Sequence, residues 1–200
     1  MHKGVDFSLT EIDLSNKPGW FAEVSPYGKV PSIRHDGRIV YESAIINEYL
    51  DEVFPAPALM PTDSHVRAMA RIWVDYGNTR FNVASFKLLR ENDTANQNTL
   101  RTELDASLKF MEEGMAKLGG GPYWLGTELS LVDYSYYPFF ERFCNVEHYR
   151  DYQIPASCSR LLDWRDVMKT LPIVREIANA PEFYVKRAKA YAQPTAQAAE

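Results

Sequence analysis

The dipeptide Glu42-Ser43 stands where a short strand pattern ends and a helical pattern begins. We expect Ser43 to be the N-cap of this helix, and the unpaired N–H groups and dipole at that end of a helix favour a bound anion. The same residues also fit an ordinary helix start with an acid close by. Ser43 serves both interpretations, so Glu42 alone distinguishes a ligand site from a plain helix cap.

Two motifs upstream of that junction also carry groups able to contact a ligand. Val30-Pro31 follows Gly28-Lys29 and precedes a strand pattern, and a strand-initiating proline explains it when it is taken alone. Lys17 precedes Pro18, and its ammonium group could contribute at most roughly 1.5–3 kcal/mol to one contact with a carboxylate, and less if it is exposed. Lys17 is explained nearly as well as a solvated lysine in a loop that contacts no ligand.

The cysteines and histidines show no catalytic or metal-binding pattern. Cys144 and Cys158 lie in the second half of the chain without a CxxC partner, so a core or bystander role is the better interpretation for both. The histidines lack HExxH or any other spacing typical of metal ligands, and no metal site is predicted. They are His2, His35, His65 and His148.

Composition and charge limit the classes of protein to which the chain can belong. Of its 200 residues, 46% are hydrophobic and 24% are charged, which excludes disorder, collagen and coiled coil. The formal net charge of -5 argues against a nucleic-acid partner. The first residues lack the apolar core of a signal peptide, and no apolar run approaches the roughly 18 residues of a membrane span. A soluble, cytoplasmic protein is therefore predicted, with no membrane partner.

The first 60 residues form an α/β pattern around the motifs. Asp36-Gly37 is a favoured two-residue turn between two brief strand patterns. Alternating apolar residues predict a further strand near the start of the chain. The expected elements are strand, short helix, hairpin strands and longer helix: Val5–Leu14, Trp20–Val24, Lys29–His35, Arg38–Tyr41 and 43–53.

The second half is predicted to be helical, after a proline-rich connection that is the most credible domain boundary. Ser130 and Asp133 have the spacing of a capping box, and a polar tail from Gln193 is expected to fray. The expected helices are Asp63–Arg90, one that ends at Leu118, Ser130–Arg150, Ser157–Thr170, Ile173–Ala180 and Glu182–Tyr191. Four aromatic residues could line an apolar pocket but are more often core: Tyr134, Tyr137, Phe140 and Trp164.

Several spaced motifs resemble the glutathione-binding half of cytosolic glutathione transferases, most of all the omega class. They are Asn-Lys-Pro-Gly-Trp-Phe-Ala-Glu-Val-Ser-Pro-Tyr-Gly-Lys-Val-Pro-Ser-Ile from Asn16, and Ile-Val-Tyr-Glu-Ser-Ala-Ile-Ile-Asn-Glu-Tyr-Leu-Asp-Glu-Val-Phe-Pro from Ile39. In the second half, Leu-Ser-Leu-Val-Asp-Tyr from Leu129 resembles the family's capping-box helix. Tyr-Pro-Phe-Phe-Glu-Arg from Tyr137 resembles the omega-class continuation. The motifs occur in the family's order and cover nearly the whole chain.

The resemblance implies a fold and a binding site. Residues 1–55 would form a thioredoxin-like domain, 56–61 a linker and 62–200 an all-helical domain. A cis Val30-Pro31 bond would expose the backbone N–H and C=O of Val30 to a ligand. These groups would pair with the cysteinyl part of glutathione in the way that two antiparallel strands pair. Ser43 would bind the γ-glutamyl carboxylate, Glu42 the α-ammonium group and Lys17 the glycine carboxylate.

The resemblance also implies an activity and partners. We expect omega-like thiol transfer or glutathione-dependent reduction, with glutathione and a small hydrophobic, electrophilic or disulfide compound as co-substrates. The protein is expected to be a homodimer. The alternative is a non-catalytic binding or assembly module that uses the same fold.

The start of the chain departs from the family pattern. Family members begin with a strand and a helix that carries the catalytic residue, and Met1 corresponds to a position near the end of that helix. The catalytic residue would then lie upstream of Met1, so none is assigned in this chain. We expect a truncated or mis-started chain in which Val5–Leu14 and Pro31–His35 lack the strand between them.

Overall fold

The structure is a computed structural model that describes residues 1–118 and 120–193. The chain divides into two compact units, Met1–Pro61 and Thr62–Glu200. Unit 1 combines a small sheet with two helices, and unit 2 is built from helices, as the sequence pattern predicts. Within the described residues, no helix is long and apolar enough to cross a membrane.

Unit 1 is organised around one β-hairpin. Its elements are α1 (Phe21–Val24), β1 (Ser32–His35), β2 (Arg38–Tyr41) and α2 (Ser43–Val53). The strands pair antiparallel, with Ser32 opposite Tyr41 and His35 opposite Arg38. Asp36 and Gly37 both have positive φ, 47° and 77°, which a tight two-residue hairpin turn requires. The predicted hairpin, short helix and longer helix are confirmed.

The strand predicted over Val5–Leu14 is wrong. This segment has no regular secondary structure, and Phe7 and Leu9 are 64% and 78% exposed. A strand needs hydrogen bonds to a neighbouring strand, and the sheet of unit 1 contains only β1 and β2. The alternating apolar residues therefore have no sheet to join among the described residues.

Asp51, on α2, holds the two ends of unit 1. Its buried carboxylate accepts hydrogen bonds from the backbone N–H groups of Leu59 at 2.9 Å and Met60 at 3.0 Å. The ammonium group of Lys3 pairs with the same carboxylate and also donates to the carbonyl of Pro57. The start of the chain and the proline-rich segment are thereby fastened to one helix.

Unit 2 contains a succession of helices. They are α3 (Ser64–Tyr76), a π-helical turn (Gly77–Phe81), α4 (Asn82–Arg90), α5 (Thr94–Lys117), α6 (Leu131–Glu141), α7 (Cys144–Arg150), α8 (Ser159–Thr170), α9 (Pro172–Ile177) and α10 (Pro181–Ala192). The predicted helix to Arg150 is interrupted between α6 and α7. The tail was expected to fray from Gln193, and its residues from Pro194 onward lie outside the described part of the chain.

The π-helical turn interrupts what the sequence predicts as one long helix. The N–H of Gly77 donates to the carbonyls of both Trp73 and Val74. The hydroxyl of Tyr136, on α6, donates to the Trp73 carbonyl at 2.8 Å. A Cβ on Gly77 would lie 2.9 Å from the Tyr136 ring, so glycine permits this close approach. The turn thus depends on a tertiary contact that local spacing does not reveal.

The capping box at the start of α6 is confirmed. The Ser130 N–H and hydroxyl donate to the Asp133 carboxylate at 2.8 and 2.7 Å. The same carboxylate accepts from the Trp124 N–H at 2.8 Å and the Trp164 indole at 2.7 Å. Burial raises the pKa of Asp133, and these hydrogen bonds oppose that rise. One buried side chain therefore joins α6, α8 and the preceding loop.

Candidate functional site

A cavity of about 50 Å³ lies in unit 1, where the turn after α1 meets the end of β2 and the start of α2. Four of the five residues expected to bind a ligand line it, and Lys17 does not. The lining residues are Ser25, Tyr27, Lys29, Val30, Pro31, Tyr41, Glu42 and Ser43.

Val30 and Pro31 form the entry to β1. The peptide bond between them is cis, as the family resemblance implies. Val30 precedes the strand and is 48% exposed, so it is not covered by the core of unit 1. Val30 and Pro31 both line the cavity.

Glu42, and not Ser43, occupies the N-cap position of α2. The Glu42 carbonyl accepts from the N–H of Ile46 at 2.8 Å, and Ser43 is the first helical residue. The expectation that Ser43 is the N-cap is therefore wrong by one position, because the first helical hydrogen bond begins one residue earlier. Glu42 has φ of 71°, a left-handed conformation that costs a non-glycine residue about 1–3 kcal/mol. Strain of this kind is concentrated at functional sites.

The charges around the cavity have both signs. The side chain of Glu42 makes no capping hydrogen bond to the backbone of α2. Its carboxylate is therefore not occupied by capping this helix. The first N–H groups of α2 have no acceptor within the helix, and the helix dipole adds positive potential there. A carboxylate and a helix N-terminus side by side suit a ligand that carries an ammonium and a carboxylate on neighbouring atoms.

Lys17 lies beside the turn that forms the cavity and outside its lining. Its side chain is exposed. A Cβ built on Gly28 would be 3.6 Å from the Lys17 Nζ, which places the ammonium group next to residues 25–29. Lys17 could reach only the part of a ligand that extends past this turn.

Four lining residues were not anticipated from the sequence: Ser25, Tyr27, Lys29 and Tyr41. The rings of Tyr27 and Tyr41 meet edge to face, with centroids 5.2 Å apart. Ser25 is buried and bonds to the backbone of Lys29. Ser25-Pro26 followed by Gly28, with φ of 64°, is a turn signal that could have drawn attention to this segment.

Both cysteines belong to unit 2, and in the sequence they are about 100 residues beyond the residues that line the unit 1 cavity. Cys158 is buried at the N-cap of α8, and burial, with Glu112 nearby, raises its pKa. Cys144 is half-buried, and burial, with Glu147 nearby, raises its pKa to about 11. Both thiols are therefore protonated at neutral pH, which agrees with the core or bystander interpretation.

The rest of the described chain offers little that resembles a second site. Among the described residues, no group of three His, Cys, Asp or Glu side chains is placed to hold a metal ion. A groove of about 470 Å³ between α7 and α10 includes Cys144 and His148. Tyr137, Phe140 and Trp164 are buried and do not line this groove, which agrees with their interpretation as core.

Comparisons with known proteins agree with this fold. Residues 1–53 match the N-terminal domain of glutathione S-transferases, and residues 67–167 match the C-terminal domain. The chain therefore belongs to the glutathione S-transferase family, within the cytosolic superfamily.

Individual relatives show how far the similarity extends. Protein IN2-1 homolog A from Oryza sativa subsp. japonica is 32% identical over 185 residues, which are 92% of this chain and 73% of that protein. Glutathione S-transferase omega-1 from Sus scrofa is 33% identical over 141 residues, 70% of this chain and 58% of that protein. The structure of rice GST1 in complex with glutathione has a TM-score of 0.86 and 28% identity, covering 96% of this chain and 87% of that chain.

Proposed function

We propose that the chain binds glutathione in the unit 1 cavity, as a co-substrate for omega-like thiol transfer or glutathione-dependent reduction. One observation carries the proposal: Glu42 and Ser43, the first residue of α2, line the same small cavity. The γ-glutamyl end of glutathione carries an ammonium and a carboxylate on one carbon atom. Glu42 would bind the ammonium group, and the first N–H groups of α2, from Ser43 onward, would bind the carboxylate.

The remainder of glutathione would run along the turn that leads into β1. The Val30 backbone would pair with the cysteinyl residue in the manner of an added strand. The glycine carboxylate would then approach Lys17, whose ammonium group lies beside Gly28. Because Lys17 is exposed, its contribution would be at the low end of roughly 0–1 kcal/mol.

Two relatives support the choice of ligand and class. Rice GST1 was determined in complex with glutathione, and the Sus scrofa relative is named an omega-1 transferase. Thiol transfer needs a cysteine at the glutathione sulfur, and residues 1–61 contain none. Unit 1 would therefore bind glutathione without itself supplying the catalytic thiol of the proposed reaction. The second co-substrate would be a small hydrophobic, electrophilic or disulfide compound.

A non-catalytic binding or assembly module is the second candidate. It is favoured by the same lack of a cysteine in residues 1–61, together with the protonated state of the thiols in unit 2. Such a protein would bind glutathione without turning over a co-substrate. Glu42 would still be needed for binding under this alternative.

A glutathione-affinity column tests the proposed ligand. We expect the chain to be retained and to be eluted by free glutathione. A matched resin that carries glutathione with an acetylated γ-glutamyl amine should not retain it, because the charge that Glu42 would bind is gone. Passage through the first resin without retention would contradict glutathione binding.

An activity assay separates the two candidates. The 200-residue chain and any longer chain that its gene encodes would be assayed for reduction of a glutathione mixed disulfide. Turnover by a longer chain alone supports thiol transfer. Retention on the column by both, with turnover by neither, supports the binding module.

We also propose that the protein is a homodimer, as family members are. Light scattering at micromolar concentration should report twice the mass of the chain. A mass equal to one chain would contradict this assembly.

A further inference from the structure

The turn that leads into the cavity is closed by the side chain of Ser25. This residue follows α1 and is 2% exposed. Its hydroxyl donates to the carbonyl of Lys29 at 2.6 Å and accepts from the N–H of Lys29 at 3.0 Å. The N–H of Gly28 also donates to the Ser25 carbonyl at 2.8 Å. One buried residue therefore joins both ends of the turn over residues 25–29.

The bond from Ser25 to the Lys29 carbonyl also sets the direction of the next N–H group. A peptide group is planar, so the Lys29 carbonyl and the Val30 N–H lie in one plane. The cis bonds of unit 1 are Val30–Pro31 and Ala56–Pro57, so the bond from Lys29 to Val30 is trans. In a trans peptide the N–H points opposite to the carbonyl. The Val30 N–H is thus held pointing away from Ser25.

The Ser25 hydroxyl has no proton left to offer a ligand. A serine hydroxyl carries one proton, and the Lys29 carbonyl takes it. Whatever Ser25 does for binding is therefore done mainly through the backbone that it holds. That backbone continues directly into Val30, which lines the cavity.

We infer that Ser25 is a positioning residue for glutathione. Its hydroxyl holds the Lys29–Val30 peptide in the orientation that pairs with the cysteinyl part of the ligand. This inference rests on the proposed function and extends it from the groups that touch glutathione to a group that orients one of them. A glutathione-binding Val30 would need such support, because it precedes β1 and has no strand partner in the two-stranded ladder.

Calorimetric titration with glutathione of the native chain and three variants tests this role. Ser25→Ala should bind glutathione about tenfold more weakly, the equivalent of one lost hydrogen bond. Ser25→Thr keeps the hydroxyl and should stay within about threefold of the native affinity. Leu59→Ala removes buried apolar contacts of unit 1 outside the cavity and serves as the control for lost stability.

The outcomes separate the two proposals. If the native chain does not bind glutathione, the proposed function is wrong and the role of Ser25 falls with it. If the native chain binds and Ser25→Ala binds equally well, only the positioning role is wrong. The positioning role is also wrong if Leu59→Ala weakens binding as much as Ser25→Ala does, or if a folded Ser25→Thr loses as much.

Amide hydrogen exchange of the native chain tests the same role even if Ser25→Ala fails to fold. The Lys29 amide, which donates to Ser25, should exchange slowly in the free protein. The Val30 amide should gain at least about tenfold protection only when glutathione is added. Unprotected exchange at Lys29 in the free protein would overturn the inference, as would protection of Val30 that glutathione leaves unchanged.

Discussion

The two units bury their side chains in different ways. Unit 1 has three buried apolar residues, Phe21, Ile46 and Leu59, while large apolar residues such as Phe7 and Leu9 remain exposed. Unit 2 encloses a cluster of large side chains that are almost completely buried. They include Phe81, Trp124, Tyr136, Phe143, Trp164 and Met168.

The two units differ in the interactions that stabilise them, and the candidate ligand site lies in only one of them. Unit 2 gains its stability from apolar burial, which contributes about 25 cal/mol for each Å² removed from water. Unit 1 relies more on polar side chains that hold backbone segments, as Ser25 holds the turn and Asp51, together with Lys3, holds residues 57–60. The candidate ligand site lies in unit 1, in agreement with the general tendency of binding loops to belong to the less stable parts of a fold.

The largest expected effect on stability is at Asp133. Asp133→Ala leaves buried donors of Trp124, Ser130 and Trp164 without their acceptor. Each donor that water does not reach in the variant should cost roughly 1–3 kcal/mol. We expect the free energy of unfolding to fall by about 3–5 kcal/mol. Urea denaturation followed by helical circular dichroism measures this change.

The control for that variant is Asp166→Ala on α8. Asp166 is 67% exposed and pairs with Lys169 at the surface, so its loss should cost less than about 1 kcal/mol. Equal losses for the two variants would show that the buried network does not dominate the stability of unit 2.

A smaller effect is expected at Asp51 in unit 1. Asp51→Ala removes the acceptor of the Leu59 and Met60 N–H groups and should cost about 2 kcal/mol. Hydrogen exchange measured on peptides should show faster exchange over residues 1–61 and little change over α5. Glu52→Ala, at an exposed neighbouring position, is the matched control. Equal acceleration in α5 would mean that the units do not differ in stability as described.

The sequence indicated those parts of the fold that depend on local chemistry. Asp36-Gly37 specifies the hairpin because the turn needs two residues that tolerate positive φ, and Ser130 with Asp133 specifies the start of α6. The strand expected over Val5–Leu14 was wrong, because alternating apolar and polar residues indicate an apolar face and do not indicate whether a partner strand is present.

The candidate site was predictable only where family motifs carry it. Val30, Pro31, Glu42 and Ser43 were expected and line one cavity. Ser25 was missed, because the atoms that it binds belong to a turn whose shape the sequence does not specify. The π-helical turn was missed for a similar reason, since it depends on contact with Tyr136 from another helix.

The cysteines should have almost no effect on the proposed binding of glutathione. Burial holds the pKa of Cys144 at about 11 and raises that of Cys158, so alkylation should be slow at pH 7. Labelling of Cys144 should increase as the pH rises toward about 11, because only the thiolate reacts. Mass spectrometry after timed exposure to iodoacetamide measures both rates.

The matching activity test uses the Cys144→Ala/Cys158→Ala double variant. We expect the 200-residue chain to show negligible reduction of a glutathione mixed disulfide and the double variant to behave in the same way. Robust activity in the native chain that disappears in the double variant would place the catalytic centre in unit 2.

The most direct test of glutathione binding in unit 1 is calorimetric titration of the Glu42→Ala variant. Loss of one charge-assisted contact with the ammonium group should weaken glutathione binding roughly tenfold to a hundredfold, with the fold intact by circular dichroism. Glu42→Gln, which keeps the shape and removes the charge, should behave similarly, and Glu52→Ala on the same helix should bind as the native chain does. Native affinity in a folded Glu42→Ala variant would contradict the assignment of the site.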